Sequence, residues 1–149
     1  MVGKYRGRTI EEAVSPLAKM IGPFVGIADS KSRLPLLGAA KTFYSDDTWQ
    51  TAIARWIDMA QMVVMVAGRT EGIGWEIEHI SERASLTKLV ILMPPRARSD
   101  PEEARNWLHG HFSSSPYAQA VAHIDTQRSI ALIFSEHDLV VIETSKIRN

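Results

Sequence analysis

The sequence predicts a three-layer α/β fold with a mostly parallel sheet and an antiparallel hairpin at its end. Three observations carry that expectation. Strand-sized apolar runs alternate with amphipathic helical stretches through most of the chain. One run, Met62 to Ala67, ends in a glycine-bounded loop that opens directly into a helix. The last two runs, Ile130 to Phe134 and Leu139 to Ile142, are joined only by Ser135-Glu136-His137-Asp138, a connection short enough to make them a hairpin.

At 149 residues the chain has the usual length of one domain, and no repeat or linker divides it, so a single domain over residues 1–149 is expected. Apolar residues make up 45% and charged residues 23%, the balance of an ordinary globular protein. Lys plus Arg and Asp plus Glu stand at 17 each, so no net field recruits nucleic acid or a membrane surface. There are no cysteines, which excludes disulfides, thiolate metal sites and cysteine nucleophiles together and suits a reducing compartment. No run approaches the roughly 20 apolar residues that span a bilayer. The basic start MVGKYRGR has no apolar segment behind it, so it is no secretory signal, and a cytoplasmic location without membrane insertion is expected.

The elements follow in order. Thr9-Ile10-Glu11-Glu12 fits a capping box. Ile10, Val14, Leu17 and Ile21 then keep helical spacing, interrupted by Pro16, until Gly22-Pro23 stops the helix. Phe24 to Ala28 reads as a short buried strand, and Asp29 to Arg33 as a polar loop at its carboxyl end. Leu34 to Lys41, broken by Pro35 and Gly38, reads as loop or turn, with a brief extended piece at Thr42-Phe43-Tyr44. Asp46 or Asp47 caps the clearest helix, in which Trp49, Ala52, Ile53, Trp56, Ile57 and Ala60 form one apolar stripe. Its tryptophans read as packing residues rather than a base-stacking platform.

Lys88 to Met93 is a further buried strand, stopped by Pro94-Pro95. Asp100-Pro101-Glu102-Glu103 supplies an N-cap, a proline at the first helical position and acids in the first turn of a helix running to about His109. Ser115 and Pro116 start a short helix through Ala122.

The candidate site is the stretch MVVMVAGRTEGIGWEIEHI, Met62 to Ile80. A strand, a glycine-bounded loop and a helix N-terminus bring free backbone N–H groups and the helix dipole to one point, where open α/β sheets bind small anionic ligands. With the helix taken from Ile73, residues Ile73, Ile77, Ile80 and Ala84 cluster on one face, Glu76 borders that face, and Trp75 points nearly opposite. In a first turn the Glu76 carboxylate is expected to be held ionised by the dipole. It is then either a nucleophile or electrostatic stabiliser, or simply an acid that complements the helix N-terminus. Gly68 and Gly72 allow a tight turn and close ligand approach, Thr70 suits a cap or a phosphate or ribose contact, and Arg69 suits a phosphate or solvent. Asp29, from the first polar loop, is expected to share the crevice. Glu76 is thus the candidate catalytic residue, and Asp29, Gly68, Arg69, Thr70, Gly72 and Trp75 are the candidate ligand-binding residues.

Other constellations carry less. His109 and His111 are two apart and share no helix face, and His79, His123 and His137 are isolated, so no metal site is expected. The chain has neither a Walker A sequence nor a GxGxxG, its serines lack the frame of a nucleophile elbow, and no cofactor is implied.

Over residues 9 to 95, GPFVGIADSKSRLPLLGAAKTFYSDDTWQ, AQMVVMVAGRTEGIGWEIEHI and KLVILMPP together resemble a cytosolic domain of uncharacterised bacterial membrane proteins. In that family the first loop usually reads like a glycine-containing PGE segment, where this chain has Asp29-Ser30-Lys31-Ser32. More distantly, the strand, glycine loop and helical glutamate are similar to the matching element in Rossmann-like nucleoside deoxyribosyltransferases, TIR-type NAD hydrolases and phosphoribohydrolases with a GGxGTxxE motif. The resemblance implies a Rossmann-like, flavodoxin-like domain. It also implies that Glu76 stabilises an oxocarbenium ion or attacks the anomeric carbon, with Gly68, Thr70 and Gly72 about the phosphate or ribose.

Two readings follow. One is a domain that binds a nucleotide-like small molecule and cleaves or transfers at an N-glycosidic bond. The other is a non-catalytic ligand-sensing or protein-interaction domain of a membrane-associated protein. A sheet edge left open also allows a homodimer.

Overall fold

The structure is a computed structural model, described for residues 10–27, 40–42, 48–68, 71–83, 85–94 and 100–145. The chain forms two compact units, Met1–Ile53 and Ala54–Asn149. In chain order the elements are α1 (Ile10–Ile21), β1 (Val25–Ile27), β2 (Ala40–Thr42), α2 (Trp49–Met59), β3 (Val63–Val66), α3 (Glu71–Arg83), β4 (Leu89–Leu92), α4 (Pro101–Phe112), α5 (Ala118–Ala122), β5 (Ser129–Phe134) and β6 (Leu139–Glu143). A single 3-10 turn, Leu86–Lys88, leads into β4. No helix among the described residues is long and apolar enough to cross a membrane.

In the first unit, α1 continues through Pro16. Its buried residues are Ser15 and Ala18, whereas Leu17 and Ile21 of the expected apolar stripe, and Met20 beside them, stand exposed. Small side chains, not the large ones, therefore set the buried face of this helix. β1 and β2 pair in parallel as a separate two-stranded sheet, with Val25 opposite Ala40 and Ile27 opposite Thr42. Ala40 and Lys41, read from sequence as loop, are thus strand. The capping Thr9 and the caps Asp46 and Asp47 lie outside the described residues.

The second unit holds a four-stranded sheet in the order β3-β4-β5-β6. β3 and β4 are parallel, with α3 as the crossover that parallel neighbours need, while β4–β5 and β5–β6 are antiparallel. The fold is α/β with a mixed sheet, and within this sheet the expectation of mostly parallel pairing is corrected. The reason is topological: after the α4–α5 excursion the chain returns as a hairpin, and its first strand takes the free edge of β4. Ser135 N–H closes that hairpin onto the Asp138 carbonyl at 2.9 Å.

Register explains the core. Met65, Ile91 and Leu132 are cross-strand neighbours in one row, and all three are buried. A bulge between Ser129 and Ala131 shifts the β5–β6 register, which returns Ser129 to the same face as Leu132 and Phe134. Helices supply the facing apolar layer through Ile77 and Ile80 of α3 and Ala104, Leu108 and Phe112 of α4. Phe112 packs on Phe134 with ring centroids 5.0 Å apart, and Tyr117 meets Phe134 edge-on while its hydroxyl donates to the Ser135 carbonyl. α4 runs two residues past Gly110 because Phe112 continues the stripe of Ala104 and Leu108, and at Gly110 a side chain would meet only open space. The buried hydroxyls are satisfied: Thr126 donates to the Pro101 carbonyl at 3.0 Å and Ser129 to the Asp125 carbonyl at 2.7 Å.

The other sheet face is also apolar but grows more exposed toward the β6 edge. Val64, Val90 and Leu92 are half-buried, whereas Ile133, Val140 and Ile142 are 36%, 45% and 44% exposed.

Two adjacent positions on β5 separate these faces experimentally. Leu132→Ala removes a fully buried side chain and is expected to cost about 2–5 kcal/mol in urea unfolding. Ile133→Ala, one residue on and facing the other way, should cost about 1 kcal/mol or less; equal losses would contradict the register.

Candidate functional site

The β3–α3 segment is built by the sheet at one end and by helix packing at the other. Ala67 N–H still donates to the Leu92 carbonyl at 2.9 Å, prolonging the parallel ladder by one residue beyond β3. Gly68 follows, and a Cβ there would stand 2.9 Å from the Cδ1 of Ile73. A side chain at 68 would have to displace the end of the Ile73 side chain, with which the first turn of α3 folds back on the end of the strand.

α3 starts at Glu71, two residues before the start expected from spacing. Gly72 is therefore helical rather than part of the loop, and Glu76 lies in the second turn. Only the N–H groups of the N-cap and the first three helical residues lack an internal partner, so those of residues 71–73 are free for a ligand or solvent and that of Glu76 is not. Ile77 and Ile80 fix the rotation of the helix by their burial. At 100° per residue, Gly72, Glu76 and His79 then share one flank and Gly74 lies on the opposite one.

Glu76 is half-buried, and burial pushes its carboxyl up from the ordinary carboxylate range to about 7. This corrects the expectation of an anion held by the helix dipole. Dipole stabilisation fades within the first turn, whereas loss of hydration acts wherever the group is covered. Around neutrality Glu76 is a carboxyl poised between its two forms, which is the property of a proton donor or acceptor.

On the same flank, the ring of His79 is stacked against the indole of Trp75, with ring centroids 5.2 Å apart and planes 21° apart. Its Nε2 lies 3.7 Å from Asp58 Oδ1, near enough for attraction and too far for a hydrogen bond, and it has no hydrogen-bond partner. Spacing alone had made His79 look isolated. The signal was present in the i, i+3 and i, i+4 relations of Glu76 and Trp75 to His79, but the partner from α2 was not readable.

Across the helix, His111 of α4 packs where Gly74 leaves room, its Cε1 3.4 Å from a Cβ placed there, and Trp107 meets it edge-on at 4.9 Å. Burial lowers its affinity for a proton. It serves the α3–α4 contact and stands on the flank away from Glu76.

Of the sequence-derived candidates, Gly68, Gly72, Trp75 and Glu76 fall on this one strand–helix unit. Asp29, Arg69 and Thr70 lie outside the described residues. Among the described residues no group of three or more His, Asp or Glu is placed to hold a metal ion.

Two outcomes test this geometry. Glu76 binds its proton more tightly folded than unfolded, so its contribution to stability falls as pH rises from 4.5 to about 7 and is flat above. The total is on the order of 3 kcal/mol, visible as a falling urea midpoint in wild type and absent in Glu76→Gln. Gly68→Ala should cost about 1 kcal/mol or less, because the crowding atom ends a flexible side chain, and adding Ile73→Val, which deletes that Cδ1, should recover part of the loss. Strict additivity in that double variant would argue against the close approach.

Comparison with protein-family models, with curated proteins and with solved structures finds no match to this chain.

Proposed function

We propose that this chain binds a nucleotide-like small molecule at the β3–α3 segment and cleaves or transfers at its N-glycosidic bond, with Glu76 as the acid–base group. The observation that carries the reading is Glu76 itself. A carboxyl that burial brings to about 7 is set beside a helix N-terminus whose free N–H groups suit a phosphate. The resemblance to nucleoside deoxyribosyltransferases, TIR-type NAD hydrolases and phosphoribohydrolases supports the same bond and the same residue. It goes with a three-layer, Rossmann-like domain working in the cytoplasm, and the parallel β3–α3–β4 unit is compatible with that architecture. Gly68 and Gly72 give the ligand backbone to approach, and Trp75 acts through the ring it covers. Arg69, Thr70 and Asp29 are proposed as phosphate or ribose contacts on sequence grounds alone.

A specific feature favours a second reading, a protein-interaction domain of a membrane-associated protein or homodimer. It is the apolar outer face of the hairpin, Ile133, Val140 and Ile142, at the open edge of the sheet.

Turnover of NAD and a panel of nucleosides, wild type against Glu76→Gln, tests the first reading. A purine leaves efficiently only when protonated, whereas nicotinamide leaves NAD as a neutral ring. Loss of the acid should therefore slow nucleoside cleavage by about 10²–10⁴-fold and NAD cleavage far less. No turnover of any substrate by wild type removes the enzymatic reading. Sedimentation tests the second: self-association of wild type that Val140→Lys with Ile142→Lys abolishes supports it, and a monomer at all concentrations removes the homodimer.

A further inference from the structure

The flank of α3 that carries Glu76 holds a second titratable group in an unusual state. The side chain of His79 is only 10% exposed, and its Nε2 has no hydrogen bond. A buried ring nitrogen left unpaired costs about 1–3 kcal/mol and calls for a reason. The ring is nevertheless held: the Trp75 indole covers one face, and Asp58 Oδ1 stands 3.7 Å from Nε2. Asp58 is itself anchored, because its carbonyl accepts from Lys88 Nζ at 3.3 Å, which ties the end of α2 to the turn before β4. The contacts around His79 bring Asp58 from α2, with Lys88 on its carbonyl, and helix spacing adds Glu76 one turn back and Glu82 one turn on along α3.

A carboxylate beside Nε2 favours the tautomer with its hydrogen on Nε2. The lone pair then sits on Nδ1, which leaves that nitrogen as the acceptor of the ring. Setting the tautomer is the role an aspartate plays behind a catalytic histidine, and such contacts are commonly loose without substrate. Residues 76 and 79 are helix neighbours, about 5–6 Å apart at Cβ, so a donor and an acceptor of protons stand side by side.

We propose that His79, positioned by Asp58 and Trp75, is the proton acceptor that works opposite Glu76 in hydrolysis of a nucleoside. The inference rests on the reading of Glu76 as proton donor. In the step, the bond between the anomeric carbon and the base nitrogen breaks, and its electron pair stays on that nitrogen. The nitrogen takes the proton of the Glu76 carboxyl. A water oxygen forms the new bond to the anomeric carbon and gives one proton to His79. Return of that proton to Glu76 through solvent restores both groups, and the nucleoside and water have become the free base and the sugar.

Two measurements test the proposal. Long-range ¹H–¹⁵N spectra of the imidazole should show hydrogen on Nε2 in wild type and a mixture of tautomers in Asp58→Asn; hydrogen on Nδ1 in wild type overturns the proposal whatever the activity. In nucleoside turnover, His79→Gln should lower kcat by about 10²-fold or more and remove the acid-side limb of the pH profile, with KM within about twofold of wild type. Asp58→Asn, at an exposed carboxylate that folding tolerates, should lower kcat about tenfold and keep both limbs. A His79→Gln variant that unfolds like wild type and turns over like wild type overturns the role of His79 while leaving that of Glu76 intact. A wild type that turns over no nucleoside removes the reading of Glu76, and the role of His79 falls with it.

Discussion

β4 has a neighbour on each edge, parallel on one side and antiparallel on the other, and its inward residues Leu89 and Ile91 are completely buried. The strand can meet that demand in one register only, since a slip of one residue would turn Leu89 and Ile91 outward. Everything at the candidate site inherits its position from this strand. The ladder of β3 against β4 ends at Ala67, which places Gly68 at the first point free of the sheet. Ile77 and Ile80 seat α3 in the core and so decide which flank Glu76 and His79 occupy.

At that flank two opposing effects act on a carboxyl, and their ranges decide between them. The helix field extends over about one turn and favours the anion. Desolvation has no such limit and favours the acid. With α3 beginning at Glu71, residue 76 is beyond the first effect and subject to the second. A start two residues later in the chain would have left the field in reach. The chemistry of the site thus turns on where a helix begins.

Much of this architecture was legible in the sequence because it rests on local periodicity. The hairpin of β5 and β6, the strand before Gly68, the stripe of α2 and the cap and proline at the start of α4 each follow from residues close together in the chain. Pairing direction was less legible. Nothing local to Leu89-Val90-Ile91-Leu92 states that its second neighbour arrives antiparallel from the far end of the chain. Helix rotation was partly legible: spacing found Ile77 and Ile80, yet α1 buries Ser15 and Ala18 and leaves Leu17 and Ile21 out. At the candidate site, spacing singled out Glu76, but its protonation depends on what covers it. The pairing of His79 with Asp58 depends on α2 meeting α3, which no sequence pattern records.

The strand that organises the second unit is completed last. During synthesis β3, α3 and β4 emerge together and can form their parallel pair early, but β4 then presents an unfilled hydrogen-bonding edge until α4, α5 and β5 have followed. Non-local pairing of this kind is slow, and an open apolar edge is where nascent chains associate wrongly. The proline-started, aspartate-capped α4 lies in that interval of the chain. In the finished fold it covers the sheet through Phe112 on Phe134, so the stretch that separates β4 from its second partner in the chain is the one that packs over that partner.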